Sequence, residues 1–299
     1  MRKEDSKMGT APAKRSVAQL LECGIVVIDK PCGPSSHEVS AFVRKILHAP
    51  KTGHAGTLDP NVSGVLPVLL GEACKLASVF SGSRKSYVCL MRLGKEVPRP
   101  ELEEAFENFR GRIYQKPPLA SAVAKRLRVR EIFRLEILEQ KGREVLFSVE
   151  CEAGTYVRNI CRDAGELLGC GAQMIELRRT SALGFGEESA ITLQQLSDYY
   201  WLHSKGKDEL LRKALVPIES ALKLKKITVA EGAVRKISSG APVVVESVLQ
   251  FDEGIAEGEL VSVSTGTGQV FCVAKALFAG GEFPEKGAAF APVRVLKIS

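Results

Sequence analysis

One loop concentrates the side chains that could do chemistry. Residues 51–64, KTGHAGTLDPNVSG, bring together glycines, a histidine, a threonine and Asp59 between apolar segments. Among them Asp59 is the candidate catalytic residue. Pro60 favours an extended backbone at Asp59, and the glycines allow a substrate to approach closely. Because Asp-Pro is also a common turn former, this pattern leaves open whether Asp59 is catalytic or only shapes a turn.

A run of alternating basic residues is a second candidate feature. Arg126, Arg128 and Arg130 alternate with Leu127 and Val129, so an extended strand would place three guanidinium groups on one face. Such a face suits an RNA backbone, but it is equally typical of an outer strand in solvent.

Charge over the whole chain favours a polyanionic partner. The formal net charge is +7 and the isoelectric point is about 9.0. Residues 226–299 carry 7 basic and 8 acidic side chains, so the positive excess belongs to the rest of the chain. A basic excess attracts phosphate groups, although many proteins that never bind nucleic acid are basic as well.

The cysteines and histidines predict no metal site, and no membrane segment is indicated. The eight cysteines include no CxxC pair and the four histidines are dispersed, so zinc is not expected. No apolar run approaches the roughly 18 residues that a membrane-spanning helix needs. The first residues, MRKEDSKMGTAPAKR, lack the apolar stretch of a signal peptide. We therefore expect a cytosolic protein.

Length and hydrophobic pattern predict two cores, since 299 residues exceed the usual single-domain size. Apolar runs at 24–30 and 65–70 predict buried strands, and Ser35 with Glu38 has the spacing of a capping box that begins a helix. Strands and helices do not alternate as in a Rossmann fold. The pattern therefore favours an α+β class around an antiparallel or mixed sheet.

The middle and the end of the chain complete this prediction. Alternation over 145–151 predicts a half-buried strand. A helix that opens at 154–155 is expected to bury a stripe of six residues: Val157, Ile160, Cys161, Ala164, Leu167 and Leu168. Beyond a boundary near 224–226, short strands at 243–245, 259–265 and 269–276 with Gly-rich turns predict a small barrel.

Five segments, in order, resemble the motifs of the TruB family of pseudouridine synthases. They are DKPCGPSSH (29–37), GHAGTLDPNVSGVLP (53–67), KSY (85–87), GTYVRNICRDAG (154–165) and ELRRTSALGF (176–185). In addition, RIYQKPPLASAVAKRLRVR (112–130) is similar to the archaeal and eukaryotic dyskerin branch, the catalytic subunits of H/ACA ribonucleoprotein particles, and the barrel resembles a PUA domain.

This resemblance implies a pseudouridine synthase fold, with a mixed, largely antiparallel sheet and flanking helices, plus a small β-barrel PUA domain. We expect three parts: a leader (1–22) that packs on the PUA domain, a catalytic domain (23–224) and the RNA-binding PUA domain (225–299). The implied reaction is isomerisation of a uridine within RNA: the glycosidic bond to N1 breaks and C5 is joined to the ribose. No cofactor is required.

The resemblance assigns three catalytic residues. Asp59 matches the essential aspartate, and Arg158 matches the arginine that pairs with it and aims its carboxylate. Tyr87 matches the tyrosine that stacks on the base and can take a sugar proton. Outside the family context, Arg158 reads as a solvated helix residue beside Arg162, and Tyr87 reads as a core tyrosine.

Further residues are implied in binding. Leu177 matches an apolar residue of the uracil pocket, His54 resembles a histidine linked to flipping of the target base, and Lys30 with Pro31 matches the support of the Tyr87 pocket. The predicted RNA contacts are seven basic residues: Arg126, Arg128, Arg130, Arg178, Arg179, Arg235 and Lys236.

Three functions stay open at this point. The first is a synthase guided by H/ACA RNA on ribosomal RNA, assembled with small H/ACA particle proteins. The second is a standalone enzyme that acts on the TΨC loop of tRNA. The third is an RNA-binding scaffold without catalysis, which would be expected to lack Asp59, Tyr87 or Arg158. The absence of long Lys-rich tails favours a cytoplasmic protein of archaeal type over a nucleolar one.

Overall fold

The computed structural model describes residues 9–117, 126–278 and 283–297. Parts of two predictions, those on the leader at residues 1–8 and on the motif of residues 112–130 at 118–125, lie outside these ranges. Within them the α+β prediction is confirmed, because two sheets are present and helices flank the larger one.

The larger sheet has ten strands and is mixed but largely antiparallel. Its spatial order is β10-β1-β3-β8-β4-β7-β6-β5, with β2 paired to β3 and β9 paired to β8. Only the short β3–β8 pairing among its ladders is parallel within the described residues. The strands are β1 (Cys23–Lys30), β2 (Thr52–His54), β3 (Ser63–Gly71), β4 (Lys85–Leu93), β5 (Gly111–Gln115), β6 (Arg128–Lys141), β7 (Glu144–Cys151), β8 (Ala172–Ala182), β9 (Phe185–Gly186) and β10 (Leu215–Pro217).

Helices cover this sheet because β1 and β3 are apolar on both faces. Val26 and Val68 pack into one layer, and Ile25 and Leu69 pack into the opposite one. A third apolar layer joins β4, β6 and β7 to α4 and α5. The helices are α1 (Val17–Glu22), α2 (Ser36–Leu47), α3 (Ala77–Phe80), α4 (Arg99–Glu107), α5 (Val157–Leu167), α6 (Leu193–Ser204), α7 (Glu209–Ala214) and α8 (Glu231–Ser238).

The second sheet has six strands around its own apolar core, as the barrel prediction requires. Its order is β12-β16-β15-β14-β11-β13, and α8 packs on it through Val234 and Ile237. The strands are β11 (Lys225–Val229), β12 (Val243–Val244), β13 (Val248–Phe251), β14 (Leu260–Ser264), β15 (Val270–Ala276) and β16 (Ala288–Val295).

A buried ion pair lies where the N-terminal segment meets both sheets. The Arg15 guanidinium donates to both carboxylate oxygens of Glu219, at 3.0 and 2.6 Å. One of these oxygens also accepts from the Val270 amide, at 3.0 Å. The Thr10 amide donates to the Gln269 side chain at 2.8 Å. The described part of the leader therefore contacts the second sheet directly.

Two local predictions are wrong. Leu167 is 56% exposed, because it is the last residue of α5 and lies at the edge of the apolar stripe, whereas Val157, Ile160, Cys161, Ala164 and Leu168 are buried. Strand β6 begins only at Arg128. Arg126 precedes it, so the expected strand face carries two guanidinium groups, from Arg128 and Arg130, and not three.

Candidate active site

Asp59 lies in the β2–β3 loop, and the side chain of Lys30 holds this loop through hydrogen bonds to its backbone. Lys30 is the last residue of β1 and is fully buried. Its Nζ donates to the carbonyls of Pro31, Pro60 and Val62 at 2.8, 3.0 and 2.8 Å. Burial lowers the pKa of Lys30. Since the Pro60 and Val62 carbonyls lie one and three residues after Asp59, the buried amine sets the path of the backbone that follows the carboxylate.

Ser36 and Gly33 hold the loop from the side of α2. The Ser36 hydroxyl accepts from the Leu58 amide at 2.7 Å and donates to the Leu58 carbonyl at 3.0 Å. The Gly33 amide donates to the Pro60 carbonyl at 2.9 Å. The start of α2 is itself fixed by the predicted capping box, which is confirmed: Ser35 and Glu38 bond each other's backbone amides.

Arg179 holds the loop from β8. This residue is fully buried, and its guanidinium donates to the carbonyls of Val65 at 2.8 Å and Gly56 at 3.2 Å. Beside it, Gly64 has φ of +104°, and an added Cβ there would lie 2.2 Å from the Arg179 carbonyl oxygen. Only glycine permits this close approach of β3 to β8. The RNA contact of Arg179 stays a prediction; in this structure the side chain is buried and donates to backbone carbonyls of the loop and of β3.

Arg158 reaches Asp59 from the first turn of α5. The two residues are 99 positions apart in sequence, and an Arg158 Nη2 atom donates to Asp59 Oδ2 in an ion pair. The carboxylate stays open, with 56% of the Asp59 side chain exposed. Arg162 instead pairs with Asp163 at 2.6 Å. Of the two interpretations of Arg158, the structure thus supports the pairing with Asp59 over a free surface residue.

An apolar floor lies beside the Asp59 loop. Tyr87 on β4 and Leu177 on β8 are each 8% exposed and belong to the same cluster as Leu58 and Val62, the neighbours of Asp59 in the loop. Burial raises the pKa of Tyr87, so its phenol is protonated at neutral pH. A flat ring, an apolar side chain and an open carboxylate together suit a planar base joined to a sugar.

The charge of Arg179 also affects the pKa values of two neighbouring side chains, Lys85 and Tyr87. Burial, together with the charge of Arg179, lowers the pKa of Lys85 to about 8. The same charge opposes the burial that raises the pKa of Tyr87.

His54 ends β2 and is expected to stay neutral. Burial, with the charges of Arg179 and His37, lowers its pKa. Its Nδ1 is buried and has no hydrogen-bond partner among the described residues. We expect NMR titration of the imidazole signals to place the His54 midpoint below the ordinary value of 6.5, with the signal assigned from a His54→Gln spectrum. A midpoint at or above this value would contradict the burial of the imidazole in this structure.

This shift also has a consequence for stability. Between the two pKa values the unfolded chain binds a proton at His54 that the folded chain does not bind. The stability contributed by the neutral imidazole is therefore complete above pH 6.5 and is lost as the pH falls below it.

Of the other basic residues predicted to contact RNA, some are exposed and others are paired with carboxylates. Arg126, Arg235 and Lys236 are exposed. Arg130 is half-buried next to Glu152, at 3.5 Å. Arg178 donates to both oxygens of Asp29, at 2.9 and 3.1 Å, and to Glu187. Its two carboxylate partners raise the pKa of Arg178 and make it a structural link.

Pro31 and Arg128 have simpler positions. Pro31 is exposed and contributes its carbonyl to Lys30, and Arg128 is half-exposed at the start of β6. Sequence reasoning gave no role to Ser36, although it lies within the 29–37 motif, and did not predict that Arg179 is buried. A fully buried arginine inside a β-strand gives no distinct signal in one sequence.

Among the described residues, no group of three or more His, Cys, Asp and Glu side chains is arranged to hold a metal ion. In the same ranges we find no helix with the length and apolarity for crossing a membrane.

An exposed carboxylate held by an arginine over an apolar floor is suited to chemistry on the sugar of a planar base. Family models match the chain in four consecutive parts. They describe a DKCLD domain (residues 2–40), the N-terminal domain of TruB family pseudouridylate synthase (44–157), the C-terminal domain of tRNA pseudouridylate synthase B (158–223) and a PUA domain (225–289).

Whole-chain similarity agrees with the family models. The chain is 46% identical over 275 residues to a probable tRNA pseudouridine synthase B of Archaeoglobus fulgidus, covering 91% of this chain and 85% of that protein. It therefore belongs to the TruB family of pseudouridine synthases.

Two solved structures are similar over nearly the full length. A Cbf5-Nop10-Gar1 complex contains a chain with a TM-score of 0.91 and 41% identity, covering 98% of this chain and 91% of that one. An H/ACA RNP bound to a substrate RNA containing 2'-deoxyuridine gives a TM-score of 0.90 and 38% identity, covering 99% and 92%.

Proposed function

We propose that this chain isomerises uridines in ribosomal RNA at positions selected by an H/ACA guide RNA, in a particle with small H/ACA proteins. The observation that supports this most is the similarity, over 98% of this chain, to one chain of the Cbf5-Nop10-Gar1 complex. It includes the second sheet and the segment that contacts it, and not only the catalytic core. Since the relatives come from cells without a nucleus, we place the activity in the cytoplasm.

The arrangement of side chains fits the chemistry. The C1'–N1 bond of uridine breaks, the base turns, a C1'–C5 bond forms, the C5 hydrogen leaves as a proton and N1 gains a proton. Breaking the first bond leaves C1' electron-poor, and the Asp59 carboxylate is suited to attack or stabilise that carbon. Because the base must detach and turn, the uridine has to leave any stack first, at a cost of about a few kcal/mol that is smallest in single strands.

A standalone tRNA activity is the alternative, favoured by the printed name of the Archaeoglobus relative. Release of tritium from RNA that contains 5-tritiated uridine separates the two, because each isomerisation frees the C5 hydrogen. We expect release from a target RNA that depends on the guide RNA and partner proteins. Release at full rate from bare tRNA, with no guide, would overturn guide dependence. No release from either would leave only the scaffold interpretation.

Tyr87→Phe is expected to retain RNA affinity and lose chemistry. The ring keeps its face for stacking on the base, but it loses the hydroxyl that could exchange a sugar proton. Single-turnover tritium release should fall by about 10²- to 10⁴-fold, the usual contribution of a proton-transfer group, while filter binding of RNA changes little. Tyr114→Phe, at a tyrosine that is 70% exposed on β5, serves as the matched control. An unchanged rate for Tyr87→Phe would assign the tyrosine a packing role alone.

A further inference from the structure

The helix that carries Arg158 begins without a cap of its own. The N-cap residue of α5 is Tyr156, and its side chain makes no capping hydrogen bond to the helix backbone. Gln115, the last residue of β5, forms hydrogen bonds to the backbone of this N-cap residue, from 41 positions away in the sequence. Its Oε1 accepts from the Tyr156 amide at 2.9 Å, and its Nε2 donates to the Tyr156 carbonyl at 3.1 Å.

A second bond ties the same two elements. The Asn159 side chain on α5 donates to the Lys116 carbonyl at 2.9 Å. Both amide side chains are only 3% exposed, so water cannot easily replace these bonds. Together they tie Tyr156, two residues before Arg158, and Asn159, the residue after it, to the end of β5.

These hydrogen bonds, which we call the α5 clamp, affect the position of Arg158 relative to Asp59. The Arg158 side chain extends from the first turn of α5 to the carboxylate, so a rotation or shift of that turn moves the guanidinium away from it. We propose that Gln115 is a positioning residue for catalysis, which holds the start of α5 so that Arg158 meets Asp59. This assignment rests on the proposed synthase activity and gives a function to Gln115 and to the Lys116 carbonyl.

Replacement of Gln115 by Leu tests the proposal because it keeps the volume but removes both bonds to Tyr156. A crystal structure of the Gln115→Leu protein needs no RNA and is expected to show the Arg158 guanidinium withdrawn from Asp59. Single-turnover tritium release should fall about 10- to 100-fold, as for a misplacement of about 1 Å in an active site. RNA affinity should be unchanged, since Gln115 is buried.

Gln140→Leu is the matched control, because the Gln140 side chain also donates to a backbone carbonyl, that of Val97 at 2.8 Å. It is expected to leave the rate at the parent level. An intact Arg158–Asp59 pair in the Gln115→Leu crystal, or a parental rate, would overturn the proposal. Should this variant not fold, Gln115→Met also removes both bonds to Tyr156 with an unbranched side chain of similar length, and the same two measurements apply. If the parent itself releases no tritium from any RNA, the synthase assignment fails, whereas the crystallographic result still tests the α5 clamp.

Discussion

Asp59→Asn is expected to abolish isomerisation while the protein stays folded and binds RNA. The substitution keeps the size of the side chain but removes the negative charge that faces C1'. Loss of a nucleophile or charge stabiliser of this kind costs about 10⁴-fold or more in turnover. Single-turnover tritium release from the guide-bound target measures it. Because the Arg158–Asp59 pair is partly exposed, the free energy of unfolding should change by less than about 1 kcal/mol.

Asp163→Asn provides the matched control for this variant. Asp163 forms an ion pair with Arg162 on the outer face of α5, one turn beyond Arg158. Its replacement removes an aspartate–arginine pair of the same type without touching the loop, so the rate should stay at the parent level. Parental tritium release by Asp59→Asn would refute the assignment of Asp59, and an equal loss in Asp163→Asn would point to disruption of α5.

Local features of the fold could be predicted because they depend on neighbours in sequence. The capping box of Ser35 and Glu38 involves residues three positions apart, and the alternation over β7 reflects one buried face. Both survive in the structure. The edge of an apolar stripe is harder to place, since Leu167 has the right residue type but lies where α5 ends.

The candidate site could be predicted only as separate motifs. Its geometry is made by contacts across long separations: Lys30 to Val62 spans 32 residues, Gln115 to Tyr156 spans 41, and Arg158 to Asp59 spans 99. The pattern of residues alone does not encode such pairings, because register and packing of distant strands set them. The burial of Arg179 was missed for the same reason, since its partners are backbone carbonyls, which every residue type offers. The pairing of Arg158 with Asp59 was predicted only through the resemblance to the TruB family.

Lys30→Met is expected to damage both stability and activity. Methionine fills a similar volume but donates no hydrogen bond, so the carbonyls of Pro31, Pro60 and Val62 lose their common donor. Hydrogen bonds from a charged donor contribute about 1.5–3 kcal/mol each, and removal of the buried charge relieves part of that loss. We therefore expect the free energy of unfolding in urea to fall by on the order of 2–4 kcal/mol.

The effect on activity follows from the position of these carbonyls. Two of them lie one and three residues after Asp59, so a loop without Lys30 no longer holds the carboxylate where Arg158 can aim it. Single-turnover tritium release should fall by about 10²-fold or more, even at temperatures where the variant is folded. Lys95→Met, at an exposed lysine, should alter neither property. A Lys30→Met protein with the parental rate would mean that Ser36, Gly33 and Arg179 suffice to hold the loop. It would refute the role of Lys30 in positioning Asp59.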